Sequence, residues 1–137
     1  MNSKRMLNSD VMFSNAVASC SDKAFRLYLN TMLFADDDGF VSSLANAKLV
    51  SGAGEQEVEE LVNCNLIGKF DDGNVLIMDW LRHNNISKRC YRNLCPSEVR
   101  QSIKVEPNGR YTLNEATAEA VSIDDYRFAK SNTKAKK

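Results

Sequence analysis

The sequence lacks long apolar runs, and no stretch approaches the roughly 18 consecutive apolar residues of a membrane-spanning helix. Its N-terminus, MNSKRMLNSD, has no apolar segment of the kind found in signal peptides. The four cysteines form no Cys-x-x-Cys pair. Cys64, His83, Cys90 and Cys95 offer zinc donors, but their spacing matches no common zinc finger. We therefore expect a cytoplasmic protein with free thiols, no bound metal and no contact with the membrane.

Catalytic signatures are also missing. His83 is the only histidine, and nothing in the sequence orients it as a base toward a cysteine. The glycine-containing stretch SGAGEQE lacks the Lys and the Ser or Thr of a phosphate-binding P-loop. Asp36, Asp37 and Asp38 cluster carboxylates, but the Glu that closes a calcium-binding EF-hand loop is absent, which favours turn and capping roles. We expect no enzyme activity, no catalytic residues and no cofactor.

Charge is strongly segregated along the chain, although 18 basic and 18 acidic residues give a net charge of zero. Residues 1–35 carry a charge of +2 and residues 36–79 a charge of −8. The balance then reverses, because residues 80–110 carry +5 and residues 111–137 carry +1. Segregation of this kind predicts two surfaces with different partners.

The most basic stretch is WLRHNNISKRCYR, from Trp80 to Arg92. It contains four fixed positive charges, with the polar and aromatic side chains of His83 and Tyr91 among them. Basic side chains this close together can contact several phosphates, while amide and aromatic side chains can bond to the nucleic-acid backbone or to base edges. Nucleic acid is therefore the leading candidate partner. The competing interpretation is a basic segment that packs against the acidic middle of the same molecule.

The periodicity of apolar residues predicts an α+β fold that is mostly helical. A helix is expected from Ser21 to Ala35, preceded by a shorter one at about Ser9–Ser19. Further helices are expected at about Ser42–Val50 and from Glu55 onward, separated by a glycine-containing turn. The apolar stripe of the first long helix consists of Phe25, Tyr28, Leu29, Met32 and Leu33.

Short extended segments complete the predicted domain. Phe40 and Val41 form one, and the apolar runs 66–70 and 75–80 flank DDGN, a sequence typical of a hairpin turn. The order helix, short strand, helix, turn, helix, hairpin is that of a winged helix-turn-helix domain, with the hairpin as the wing. We predict a winged-helix domain at residues 1–81, a basic C-terminal extension at 82–110, and a C-terminal segment with a linker or tail at 111–137.

Several ordered motifs resemble one known family. They are RML at Arg5–Leu7, ADDDGFV at Ala35–Val41, the apolar strand ending in Trp80, and HNNISKRCY at His83–Tyr91. Together they resemble the N-terminal domain of phage replisome organizer proteins, which initiate replication in phages and prophages of Gram-positive bacteria. The resemblance covers roughly Arg5–Arg92. It implies a winged-helix domain that binds DNA, and it makes a helicase or a helicase loader a possible partner.

The end of the motif departs from the family at one position. The family pattern is approximately H-N-x-I-x-K-x-R-Y, and five of its positions are matched, at His83, Asn84, Ile86, Lys88 and Tyr91. Cys90 stands where the family usually has Arg, so the positive charge shifts to Arg89. Family members often continue into a second domain that engages the helicase-loading machinery.

The helix EQEVEELVNCN, which would lie in the major groove of DNA, is acidic. Its carboxylates repel phosphates, so we expect a solvated acidic face rather than base reading in the usual manner. The predicted DNA-binding residues are Lys4, Arg5, Lys69, Arg82, His83, Asn84, Asn85, Lys88, Arg89, Tyr91 and Arg92. The predicted protein-interaction residues are Asp36, Asp37, Asp38, Glu55, Glu57, Glu59 and Glu60.

The function predicted from the sequence is that of a DNA-binding module of a phage-type replication initiator. If about five phosphates are engaged, the log–log dependence of affinity on salt should have a slope of about −4.5. Two alternatives stay open on the same fold. One is an adaptor whose acidic helix binds a basic protein, and the other is a transcriptional regulator.

Overall fold

The domain is built from helices and short strands, and the computed structural model describes residues 5–84, 97–113 and 117–127. The helices are α1 (Ser9–Met12), α2 (Asn15–Ala18), α3 (Asp22–Phe34), α4 (Leu44–Ser51), α5 (Glu55–Asn63), α6 (Trp80–His83) and α7 (Ser97–Ser102), and residues 123–127 are also helical. The strands are β1 (Phe40–Val41), β2 (Ile67–Lys69), β3 (Val75–Ile77), β4 (Lys104–Val105), β5 (Tyr111–Thr112) and β6 (Val121–Ser122). The fold is α+β, with small antiparallel sheets.

The longest helix, α3, begins where the sequence predicts it. The Ser21 hydroxyl accepts a hydrogen bond from the Ala24 N–H and so caps the first turn. The face turned inward carries Ala24, Leu27, Tyr28, Thr31 and Met32, which are buried. The predicted apolar stripe was therefore partly wrong, because α4 and α5 both pack on α3 and the buried face is rotated away from Leu33, which is 44% exposed.

The N-terminal region contains two short helices rather than the single helix predicted at Ser9–Ser19. Asn8 caps α1 by accepting from the Val11 N–H, and Ser14 caps α2 by accepting from the Val17 N–H. A side chain that bonds to the backbone in this way favours a new helix start over continuation of the preceding helix. Val11 and Val17 are the buried residues of this pair.

The first sheet has the strand order β1-β3-β2. Phe40 lies opposite Leu76 in β3, and Ile67 lies opposite Ile77. The predicted order of elements is observed as α3, β1, α4, α5, β2 and β3. The prediction of a strand through residue 80 was wrong at its end, because Trp80 begins α6 instead.

The second sheet has the order β5-β4-β6 and lies within residues 104–122, downstream of the predicted winged-helix domain. Ile103, Val105, Tyr111 and Ile123 belong to the same hydrophobic cluster as Trp80 and the α3 core. The hydrophobic cluster therefore continues past residue 81, where the predicted winged-helix domain ends. Ile103 and Val105 of the predicted basic extension contribute to the domain interior.

Candidate nucleic-acid interface

Three consecutive aspartates form a buried loop between α3 and β1. Asp36, Asp37 and Asp38 expose only 7%, 7% and 1% of their surface. Asp36 Oδ1 accepts hydrogen bonds from the N–H groups of Asp38 and Phe40, each at 2.9 Å, which is the turn role favoured by the sequence. We call Asp36–Asp38 the aspartate loop. Its burial corrects the prediction that these three residues form an exposed acidic surface, and their contact with a protein partner stays a prediction.

Arginines from three distant parts of the chain reach the aspartate loop. Arg5 Nη1 lies 3.2 Å from Asp37 Oδ1, and Arg100 Nε lies 2.8 Å from Asp38 Oδ2. Arg127 Nη1 lies 3.1 Å from Asp38 Oδ1. The side chains of Arg5, Asp38 and Arg127 are 4%, 1% and 7% exposed, so solvent and salt screen these ion pairs weakly. The loop therefore ties the N-terminal segment, α7 and the helical end of the described chain to the first sheet.

Neutral donors satisfy the backbone of the same loop. Trp80 Nε1 donates to the Asp37 carbonyl at 2.9 Å, and the Tyr111 hydroxyl donates to the Asp38 carbonyl at 2.6 Å. Gly39 follows with a φ of +86°, and a Cβ added there would lie 2.6 Å from the Trp80 Cβ. Only glycine combines this left-handed conformation with the close approach of the indole.

Arg5 is held inside the domain through both terminal nitrogens of its guanidinium group, while its buried Nε has no hydrogen-bond partner among the described residues. Besides its ion pair with Asp37, it donates through Nη2 to the Ala35 carbonyl at 2.8 Å. Its guanidinium carbon lies 4.9 Å from the centroid of the Trp80 ring, in range for a cation–π interaction. A phosphate contact would have to break these interactions, and the predicted binding of DNA by Arg5 stays a prediction.

His83 and Asn84 are also internal, with 4% and 5% of their surface exposed. His83 Nδ1 accepts from the Asn8 N–H at 2.8 Å, so in the neutral ring Nε2 carries the proton and donates to the Tyr28 hydroxyl at 2.9 Å. Burial lowers the pKa of His83 and raises that of Tyr28. Asn84 Oδ1 accepts from the Met6 N–H at 2.9 Å. Both side chains position the N-terminal segment, and a contact with DNA, which stays a prediction, would have to displace these hydrogen bonds.

Lys69 and Arg82 lie at the surface but beside carboxylates. Lys69 Nζ is 3.6 Å from oxygens of both Glu55 and Glu59. Arg82 Nη1 is 3.3 Å from Asp79 Oδ1, and its side chain is 32% exposed. The Lys69 pairs are exposed and therefore weak, so Lys69 remains a candidate for phosphate contact. Asp79 is only 6% exposed, so a phosphate contact by Arg82 would have to compete with a buried carboxylate.

The acids of α5 have different roles. Glu57 caps its own helix by accepting from the Gly54 N–H at 3.0 Å, and Glu60 accepts from the Ser21 hydroxyl at 2.8 Å. Glu55 and Glu59 are 61% and 56% exposed. A hydrogen bond from Lys48 lowers the pKa of Glu55. The predicted acidic face is therefore narrower than the sequence suggests and is partly neutralised by lysines.

The remaining predicted DNA-binding residues lie outside the described residues. They are Lys4, Asn85, Lys88, Arg89, Tyr91 and Arg92. By sequence, positions 85–96 contain three cations and no acid. The described chain on either side is anchored, at Asn84 by the Met6 N–H and at Arg100 by Asp38 and Asp124.

Sequence reasoning missed the structural roles of Arg100, Arg127 and Tyr111. Their partners in the aspartate loop lie 62, 89 and 73 residues away along the chain, so no local pattern pairs them. Asp79 was also missed, although it lies 3.4 Å from Arg110 as well as beside Arg82. The one signal in the sequence was a triplet of acids followed by many arginines downstream.

Comparisons with known proteins identify no relative: no family model matches the chain, and neither a curated protein nor a solved structure does. Within residues 5–84, 97–113 and 117–127, no helix combines the length and apolar character required to cross a membrane. The same residues contain no group of three or more His, Cys, Asp or Glu side chains placed to hold a metal ion.

Proposed function

We propose that this chain is a winged-helix DNA-binding module of the replication-initiator type, and that residues 85–96 supply the main phosphate contacts. The observation that carries the proposal is the order of elements together with the sheet order β1-β3-β2. In a winged helix the strand after the first helix pairs with the second strand of the hairpin, as β1 pairs with β3 here.

The distribution of charged residues supports the assignment of the main phosphate contacts to residues 85–96. Arg5, Arg100 and Arg127 neutralise the aspartate loop, so they do not contribute to an electropositive surface. The acids of residues 36–38 are thereby removed from the surface as well, and they no longer oppose an approaching polyanion. The three cations at Lys88, Arg89 and Arg92 have no acid within the same stretch of sequence.

The described residues on both sides of positions 85–96 are anchored to the domain. Asn84 is buried and bonded to Met6, and Arg100 is bonded to Asp38 and Asp124. Ordering of a freely moving basic tail on DNA would oppose binding through lost conformational entropy. A segment held at both flanks loses less entropy, because its ends are already fixed.

The test compares two variants with the same change in charge. Lys88, Arg89 and Arg92 are replaced together by Ala in one, and Lys23, Arg26 and Lys104 in the matched control. Affinity for a random duplex is measured by fluorescence anisotropy over a series of salt concentrations. Loss of three phosphate contacts should make the log–log salt slope shallower by about 2.7, whereas the control should keep the wild-type slope. Equal slopes for both variants would refute the assignment.

A protein-interaction adaptor is the second candidate, favoured by one specific observation. Leu49 and Val50, at the end of α4, are 81% and 55% exposed. They follow Lys48, which bonds to Glu55 at the start of α5. Exposed apolar side chains beside an acidic helix suit a partner that is basic and apolar. Absence of salt-sensitive DNA binding by the wild-type chain would favour this function.

A further inference from the structure

Two cysteines meet at the junction of three helices. Cys20 Sγ lies 4.0 Å from Cys64 Sγ, although the residues are 44 positions apart in the chain. Both are free thiols with intermediate exposure, so small reagents can reach them. Cys20 Sγ donates to the Ala16 carbonyl at 3.3 Å, and the Ser19 hydroxyl lies 3.8 Å from Cys64 Sγ.

The two cysteines occupy helix ends. Cys20 lies between Ser19, the C-cap of α2, and Ser21, the N-cap of α3, while Cys64 is the C-cap of α5. A disulfide requires a sulfur separation of about 2.05 Å, so the sulfurs must approach each other by about 2 Å. Rotation of both side chains, with small backbone adjustment at the helix ends, can supply that approach.

A neighbouring contact already holds the junction together. Glu60 in the last turns of α5 accepts hydrogen bonds from both the N–H and the hydroxyl of Ser21, adjacent to Cys20. The backbone segments that carry the two sulfurs are therefore fixed near each other before any oxidation. Such preorganisation favours an intramolecular reaction over reaction with a second molecule.

We propose that Cys20 and Cys64 are an oxidisable pair, which a low-molecular-weight disulfide such as oxidised glutathione converts to an intramolecular disulfide between the α2–α3 junction and the end of α5. The inference does not depend on the proposed DNA-binding function. Reduction by a dithiol restores the two thiols, so the modification is reversible.

The reaction proceeds in two exchanges. The Cys64 thiolate attacks one sulfur of oxidised glutathione, the S–S bond of glutathione breaks, and one glutathione thiolate leaves. The Cys20 thiolate then attacks Cys64 Sγ in the mixed disulfide and expels the second glutathione thiolate. The protein loses two electrons and two protons, and one glutathione disulfide becomes two glutathione thiols.

The order of attack follows from the environment of Cys20. Burial, followed by the neighbouring Cys64, raises the pKa of Cys20 to about 11, so little thiolate is present there at neutral pH. Cys20 is therefore a slow first nucleophile toward a reagent in solution. It is suited to the second, intramolecular step, in which proximity offsets the small thiolate fraction.

The first experiment maps disulfides in the wild-type protein after incubation with oxidised glutathione, alkylation of free thiols and digestion with trypsin. The four cysteines fall on four different tryptic peptides, residues 6–23, 49–69, 90–92 and 93–100. Mass spectrometry should find peptides 6–23 and 49–69 joined, and released by dithiothreitol. Pairing of Cys20 or Cys64 with Cys90 or Cys95, or no joined peptide at all, would overturn the proposal.

A second experiment uses Cys20→Ser, with Cys90→Ser as the matched control. Glutathione should accumulate on Cys64 in Cys20→Ser because the resolving thiol is gone, whereas Cys90→Ser should form the internal disulfide as the wild type does. The oxidised wild type should also melt about 5–15 °C higher than the reduced protein, since the cross-link restricts the unfolded chain. Wild-type protein that carries glutathione stably on Cys64 contradicts the pairing even if the variants fail to fold.

Discussion

Replacement of Asp38 by Ala tests the role of the aspartate loop in stability. The Asp38 carboxylate is 1% exposed and pairs with Arg127 Nη1 at 3.1 Å and with Arg100 Nε at 2.8 Å. Its removal leaves the Arg127 guanidinium, which is 7% exposed, without this charged partner. Breaking a buried pair in this way costs about 3–5 kcal/mol, a large part of the roughly 5–15 kcal/mol that stabilises a typical domain.

Equilibrium urea unfolding measures this loss. The fluorescence of Trp80, the only tryptophan, reports directly on the loop, because its indole N–H bonds to the Asp37 carbonyl. Glu59→Ala is the matched control: its carboxylate is 56% exposed beside Lys69, so its loss should change stability by less than about 1 kcal/mol. In the double variant Asp38→Ala, Arg127→Met the two losses should be less than additive. An Asp38→Ala variant as stable as the control would refute the claim that the loop is a buried ionic centre.

Two further predictions concern backbone strain and pH. Gly39→Ala should destabilise the domain by more than about 3 kcal/mol, because the added Cβ meets Trp80 at 2.6 Å. Gly52→Ala, at a φ of +72° but in open space, should cost only about 1–2 kcal/mol. Thermal or urea unfolding compares the two variants, and equal losses of stability would contradict the steric argument. Burial keeps the folded pKa of His83 below its ordinary value of 6.5, so the unfolded state takes up the proton first and stability should fall as pH drops below about 6.5. Urea midpoints between about pH 7.5 and 5.5 should therefore decline less steeply in His83→Gln than in the wild type, and parallel profiles would contradict this role of His83.

The predictions from local patterns agree best with the structure. The start of the long helix near Ser21, its helical period, the DDGN turn and the glycine-containing turn between α4 and α5 each depend on residues close in sequence, and the corresponding elements are observed. Single residues were less predictable at element ends. Trp80 has high strand propensity, but tertiary contacts override propensity, since its indole bonds to Asp37 and packs under Arg5.

The candidate site was harder to predict because charge alone does not reveal burial. Arg5 and Asp37 look like solvated groups in the sequence, yet they pair inside the domain across 32 residues. His83 belongs to a basic motif, but the preceding Trp80 turns the chain into α6 and brings the imidazole against Tyr28. Such pairings depend on how distant segments pack, which no local composition encodes. The predicted roles of Lys88, Arg89 and Arg92 remain predictions.

The most direct test of the account is chemical labelling of arginine and lysine side chains, read by mass spectrometry with and without duplex DNA. We predict that Arg5 and Arg127 stay unreactive in both conditions, because the aspartate loop holds them inside the domain. Lys88, Arg89 and Arg92 should react in the free protein and become protected when DNA is added. Ready labelling of Arg5 and Arg127, or unchanged labelling at positions 88, 89 and 92 on saturation with DNA, would contradict the account.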